Sequence, residues 1–139
     1  MKTSILLTTT ACGTFFLTAL LSGIWKWRAM LASPEHQAPH YVDIGHRAAL
    51  LYSFACLVII HFLELSPLPE PLNVAAAAAP LLFFAIAIAS YLVLGYLDHT
   101  DNQFSERTFA TTTGMVLLAA AEVGGFGLLF VGFLVTQLA

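Results

Sequence analysis

The stretch His36-Gln37-Ala38-Pro39-His40-Tyr41-Val42-Asp43-Ile44-Gly45-His46-Arg47 brings three histidines to the mouth of an apolar run. Neutral imidazole is a common ligand for metals and for haem iron. His46 is the best placed of the three, read as lying on the first turn of a helix and pointing into a bundle, where one axial nitrogen would suit a porphyrin near the membrane surface. The plainer reading leaves His36 and His40 as solvated loop residues and has His46 hydrogen-bond a neighbouring backbone. A zinc site is disfavoured, because no second histidine stands three or four residues from His46 and no cysteine pair accompanies it. His61 and Glu64, three residues apart, share a helix face at the far interface. Snorkelling to water explains them, with a proton-handling or ligand role as the alternative. Glu122 lies near the middle of Leu117-Leu118-Ala119-Ala120-Ala121-Glu122-Val123-Gly124-Gly125. A carboxyl at the bilayer centre costs several kcal/mol unless it is protonated, paired or beside a wet cavity. No Lys or Arg lies at that depth in its own helix. The expectation is a protonated acid facing the bundle and hydrogen-bonded to Tyr52, Ser53 or Ser90.

Other polar side chains inside apolar runs are Tyr91, Tyr96 and the group Thr108, Thr111, Thr112 and Thr113. The start of the second run, the end of the third and the start of the fourth fall on one membrane side. Tyr96 and the threonines are therefore expected to cluster with His46, giving a pocket mouth of imidazole, phenol and hydroxyls beside residues 98–103.

These residues need elements to hold them, and composition decides which kind. In 139 residues, 59% are hydrophobic and 9% charged, and the mean hydropathy is +0.85. Five basic and eight acidic side chains cannot cover the surface of a soluble protein of this size. Lipid must solvate the chain. Five Lys and Arg also fall short of a basic footprint for nucleic acid, so none is expected as a partner. Four runs reach the roughly 20 apolar residues that a hydrocarbon layer of about 30 Å requires. Unpaired backbone groups are costly in lipid, so each run is read as a helix. The expected fold is all-α: a single integral membrane domain, an antiparallel four-helix bundle with helices over about 5–28, 45–65, 74–97 and 108–138. Trp25-Lys26-Trp27-Arg28 suits the headgroup level at the first exit. Pro67, Pro69 and Pro71 stop the second run. The threonines are expected to cap the fourth.

The first segment resembles a secretory signal, but its apolar run continues to Trp25 without a small-residue break and is read as a retained membrane helix. Cys12 and Cys56 sit in apolar runs and are read as small buried hydrophobes. Lys26, Arg28, Arg47 and Arg107 flank loops one and three against Lys2 on the other side, which places those loops in the cytoplasm. Gly114, Ala121, Gly125 and Gly132 give helix four a small-residue face, read as the site of homo-oligomer packing.

The chain resembles the small four-helix membrane proteins that include the bacterial styrene oxide isomerases. The likeness lies in the architecture, in a polar first loop leading to Gly45-His46-Arg47-Ala48-Ala49-Leu50-Leu51-Tyr52, and in Leu94-Gly95-Tyr96-Leu97 near the end of helix three. The resemblance implies haem b held by His46 in a homotrimer, a Lewis-acidic iron that opens an epoxide to an aldehyde, and Tyr96 as a pocket residue. It implies a bacterial inner membrane as the location and a small apolar substrate taken from lipid. Tyr52 stands where the family has an asparagine, and Glu122 has no counterpart. Small four-helix membrane proteins of unknown function share the same features. Two other classes fit the residues: a non-catalytic membrane subunit packing against partner helices, and a proton-coupled transporter using Glu122.

Overall fold

A computed structural model describes residues 1–138, and within them every regular element is a helix. The helices are α1 (Thr3–Ala32), α2 (His40–Leu65), α3 (Glu70–Leu97) and α4 (Thr113–Leu138). All four are long and apolar enough to cross a membrane. The chain is thus an all-helical bundle of membrane-spanning length, and short connections make successive helices antiparallel.

The ends differ from the hydropathy reading for identifiable reasons. Helix α2 begins at His40 rather than Gly45, because the Pro39 carbonyl accepts the N–H groups of Val42 and Asp43 at 3.0 and 3.3 Å. The polar first turn is tolerated because Asp43 pairs with Lys26 of α1 and with Arg47 one turn on. His46 therefore lies beyond the first turn. Helix α3 begins at Glu70, with Pro71 in the first turn where its missing N–H is harmless. At the other end of the chain the threonines do not extend α4 to residue 108. Thr108 and Thr111 bond each other's backbone N–H through their hydroxyls, closing a local turn before Thr113.

Helix α1 packs mainly on α2, α2 on α3, and α3 on α4, while α1 and α4 do not touch. The core runs through Phe15, Ala19, Ala49, Cys56, Ile59, Leu63, Ala77, Leu81, Phe84 and Leu129. Alanines at these crossings bring the backbones close, the usual route to packing in lipid. Gly95 is the tightest point of the α2–α3 contact, since a Cβ there would stand 2.7 Å from the Val42 nitrogen. On α3, Pro80 has no N–H for the Ala76 carbonyl. Gly125 of α4 packs on that freed oxygen so closely that a Cβ would lie 2.6 Å from it.

Side chains close the bundle at its ends. The Glu70 carboxylate accepts the Ser4 N–H at 2.7 Å and the Ser4 hydroxyl at 3.2 Å, so α3 caps the open N-terminus of α1. Buried Asn73 accepts from the Ser66 hydroxyl and donates to the Leu68 carbonyl, which fixes the proline-rich turn between α2 and α3.

Candidate functional site

His46 sits at the α1–α2 contact. Its Nδ1 lies 2.9 Å from the Ala19 carbonyl oxygen, and its ring covers Gly23, where a Cβ would come within 2.9 Å of Cε1. A membrane helix already uses its carbonyls in its own ladder, so Ala19 accepts the imidazole N–H as a second bond. The tautomer this favours has the proton on Nδ1 and the lone pair on Nε2. No second hydrogen bond engages Nε2 among the described residues. Beside it, Asp43 holds Lys26 and Arg47, the latter at 2.8 Å, so the cluster keeps one excess positive charge at the headgroup end of the bundle.

The backbone-bonding alternative for His46 is thus realised, and it coexists with the ligand reading rather than replacing it. An Nδ1–H held by a backbone carbonyl is the usual outer-shell support of a histidine ligand. The donor chemistry therefore fits an axial haem ligand. The cavities found in the chain do not reach His46. Among the described residues, no group of three or more His, Cys, Asp and Glu is arranged to hold a metal ion through side chains alone.

The expected grouping of Tyr96 with His46 does not form. Gly95 must face α2, so its neighbour Tyr96 is turned about 100° around the helix and is 79% exposed. The threonines lie apart from His46 as well, lining a cavity with Ser90, Leu94, His99 and Gln103. Tyr52 is placed differently, stacked on Phe84 with ring centroids 4.1 Å apart. It lines a groove of about 290 Å³ with Arg47, Ala48, Leu51 and Tyr91. Tyr91 was not singled out from sequence. It stacks beneath Tyr41 at 6.1 Å, and the Tyr41 phenol oxygen accepts the Gln103 N–H at 2.6 Å. The signal for Tyr91 was present in its spacing, because it lies four residues before Gly95 on the turn that meets α2.

The hydrogen bonds expected for Glu122 are absent. Its Oε1 is buried without a partner, and Ser53 returns its hydroxyl to the Leu50 carbonyl. His61 and Glu64 are exposed on α2, His61 meeting Phe62 edge to face. His36 and His40 are exposed at the first loop. The small-residue face of α4 is engaged inside the chain: Gly125 meets Ala76 and Pro80, Gly132 meets Leu68, and Gly114 meets the Phe109 carbonyl. The glycines of α4 with open space before them are Gly124 and Gly127. No family model, curated protein or solved structure matches the chain.

Proposed function

We propose that the chain is a haem-binding integral membrane protein with His46 as the axial ligand, acting as an isomerase of small apolar epoxide-like substrates. The observation that carries this reading is the bond from His46 to the Ala19 carbonyl, which fixes the ring and leaves Nε2 as a directed lone pair. When bound, a ferric haem would supply an open coordination position that polarises a substrate oxygen. The chain's own part is positional. Ala19 and Gly23 hold the imidazole, and Arg47 and Lys26 offer positive charge at the level of the membrane surface where carboxylate substituents of a porphyrin would be stabilised. Tyr52 and Tyr91 provide phenols in an apolar groove that excludes water. The resemblance to the styrene oxide isomerases supports the same assignment of His46. Because the chain's cavities do not reach this nitrogen, a second copy of the chain, as in a trimer, would complete the enclosure.

The test is the absorption spectrum of protein purified in mild detergent after haem is supplied during expression. A Soret band that disappears in His46→Ala and persists in His61→Ala is the expected result. Colourless wild-type protein would overturn the reading.

A second reading is favoured by α4, whose buried residues are only Gly125 and Leu129. Its outer surface would then pack against the helices of a partner in a non-catalytic membrane subunit. Under that reading the purified chain carries no pigment and co-purifies with a defined protein.

A further inference from the structure

Between α3 and α4, beneath the loop that joins them, lies a cavity of about 360 Å³. Phe83, Ile86 and Leu118 form its apolar walls, and Ser90, Gln103 and Thr111 stand among its lining. No charged side chain lines it. The same three polar residues also line a more polar cavity of about 440 Å³ that includes His99, Asn102 and Glu106. The two spaces therefore share a polar boundary.

Three features separate this chamber from an ordinary gap between membrane helices. Its roof is built: Tyr41 holds the Gln103 backbone, and Thr108 with Thr111 locks the following turn. Its polar boundary is unsatisfied. Thr8, Thr10, Thr14, Thr18, Ser22 and Ser53 each return their hydroxyl to a carbonyl of the preceding turn, the default for a hydroxyl in lipid. Ser90 makes no such bond, and the Gln103 carboxamide makes none, among the described residues. Its shape is short and broad. The α3 wall from Phe83 to Tyr91 rises about 12 Å, so the volume corresponds to a mean cross-section of about 30 Å². A lipid tail spans half of a hydrocarbon layer of about 30 Å and is longer than this chamber. An apolar cavity of roughly 150 Å³ already accepts benzene, and ligand pockets start near 300 Å³.

We infer that the α3–α4 chamber is a binding site for a small, neutral, ring-sized apolar molecule carrying one hydrogen-bonding oxygen, which Ser90 and Gln103 receive. The missing charges exclude an ionic ligand, since an ion would remain unpaired there. The shared polar boundary orients the molecule, placing its oxygen toward the surface cavity and its ring toward Phe83 and Leu118. The site is distinct from His46 and requires no iron.

The experiment uses full-length protein in mild detergent with benzyl alcohol and toluene as probes, followed by saturation-transfer NMR, in wild type and in His46→Ala. Saturable binding of both probes is expected in each, with benzyl alcohol the tighter. Ser90→Ala should weaken benzyl alcohol about fivefold, the usual worth of one neutral hydrogen bond, and leave toluene unchanged. Ala87→Phe fills the chamber and should abolish saturable binding of both. Met115→Trp, at the outer wall, should do the same without loading the core, and Ala85→Phe on the exposed face of α3 should have no effect. Signals that rise linearly with probe concentration, or saturable binding that survives Met115→Trp in a protein with unchanged helical content, would overturn the assignment. So would a phospholipid retained in native mass spectra of the wild type and lost in Met115→Trp, because a lipid tail would then be the occupant.

Discussion

The two nitrogens of His46 have different surroundings, and this difference is what a ligand histidine requires. Nδ1 is tied to Ala19 while Nε2 is left unengaged, so replacing the ring removes one neutral hydrogen bond from the α1–α2 contact, about 1 kcal/mol. That is too little to unfold a bundle, so loss of pigment in His46→Ala would report ligation rather than collapse. Glu122 presents the opposite case. Its Oε1 is buried with no partner inside the chain, and an unsatisfied buried polar group costs about 1–3 kcal/mol. Glu122→Leu is therefore expected to raise the thermal midpoint of the detergent-solubilised protein, with Glu122→Gln close to wild type. A lowered midpoint for Glu122→Leu in the isolated chain would show that the carboxyl holds the fold together. A stabilised but inactive variant would instead assign the carboxyl to function, because a group that weakens the fold is retained for another reason.

The helices make contact through glycines at a few points, and these points predict which substitutions are felt. Gly95→Ala pushes a methyl group toward the Val42 backbone nitrogen, and Gly125→Ala pushes one onto the Ala76 carbonyl, where no flexible side chain can yield. Each should destabilise by about 1–3 kcal/mol, measured by thermal unfolding in detergent. Gly124→Ala and Gly127→Ala meet open space and should be neutral, or stabilising by up to about 1 kcal/mol through helix propensity. If all four variants behave alike, the α2–α3 and α3–α4 contacts are not those described. The four helices themselves were legible in the sequence because lipid forces a long apolar run to be helical. Their rotations were not. A helix that is apolar all round has no hydrophobic stripe to mark its inner face. Tyr96 could thus be placed on the correct membrane side and still on the wrong face, one residue from Gly95. The start of α2 was missed because Lys26, from another helix, neutralises Asp43, and such a long-range pair leaves no local signal. The threonine run was ambiguous in the same way, since hydroxyls that cap a helix also close a turn. His46 survived this uncertainty because one histidine in an apolar surrounding must find a polar partner wherever the helix turns.

The assembled bundle fixes relative sidedness, and the distribution of charge fixes its direction across the membrane. Four antiparallel spans put the first and third loops at one end, with both termini and the Ser66–Pro69 turn at the other. At the first end stand Lys26, Arg28, Arg47 and Arg107, and at the second stands Lys2. The bias toward retaining Lys and Arg in the cytoplasm therefore orients loops one and three inward. Asp43 weakens the argument little, because acidic residues contribute little to topology and it sits between two cations. The Lys26–Asp43–Arg47 cluster beside His46 then faces the cytoplasmic headgroups, where haem supplied from the cytoplasm would first meet the protein. Reporter fusions at Gln103 should give a cytoplasmic signal, and those at Leu68 and after the last helix should give an external one. Exchanging Lys26 and Arg28 for Gln while adding two lysines after Lys2 should move the population toward the inverted topology, since this reverses the balance near the first helix. If the unmodified protein reports an external Gln103 with Leu68 and the C-terminus inside, the charge argument fails and the His46 end of the bundle faces outward. If Leu68 and the C-terminus report opposite sides, one of the four helices does not span the membrane, and the antiparallel arrangement cannot hold.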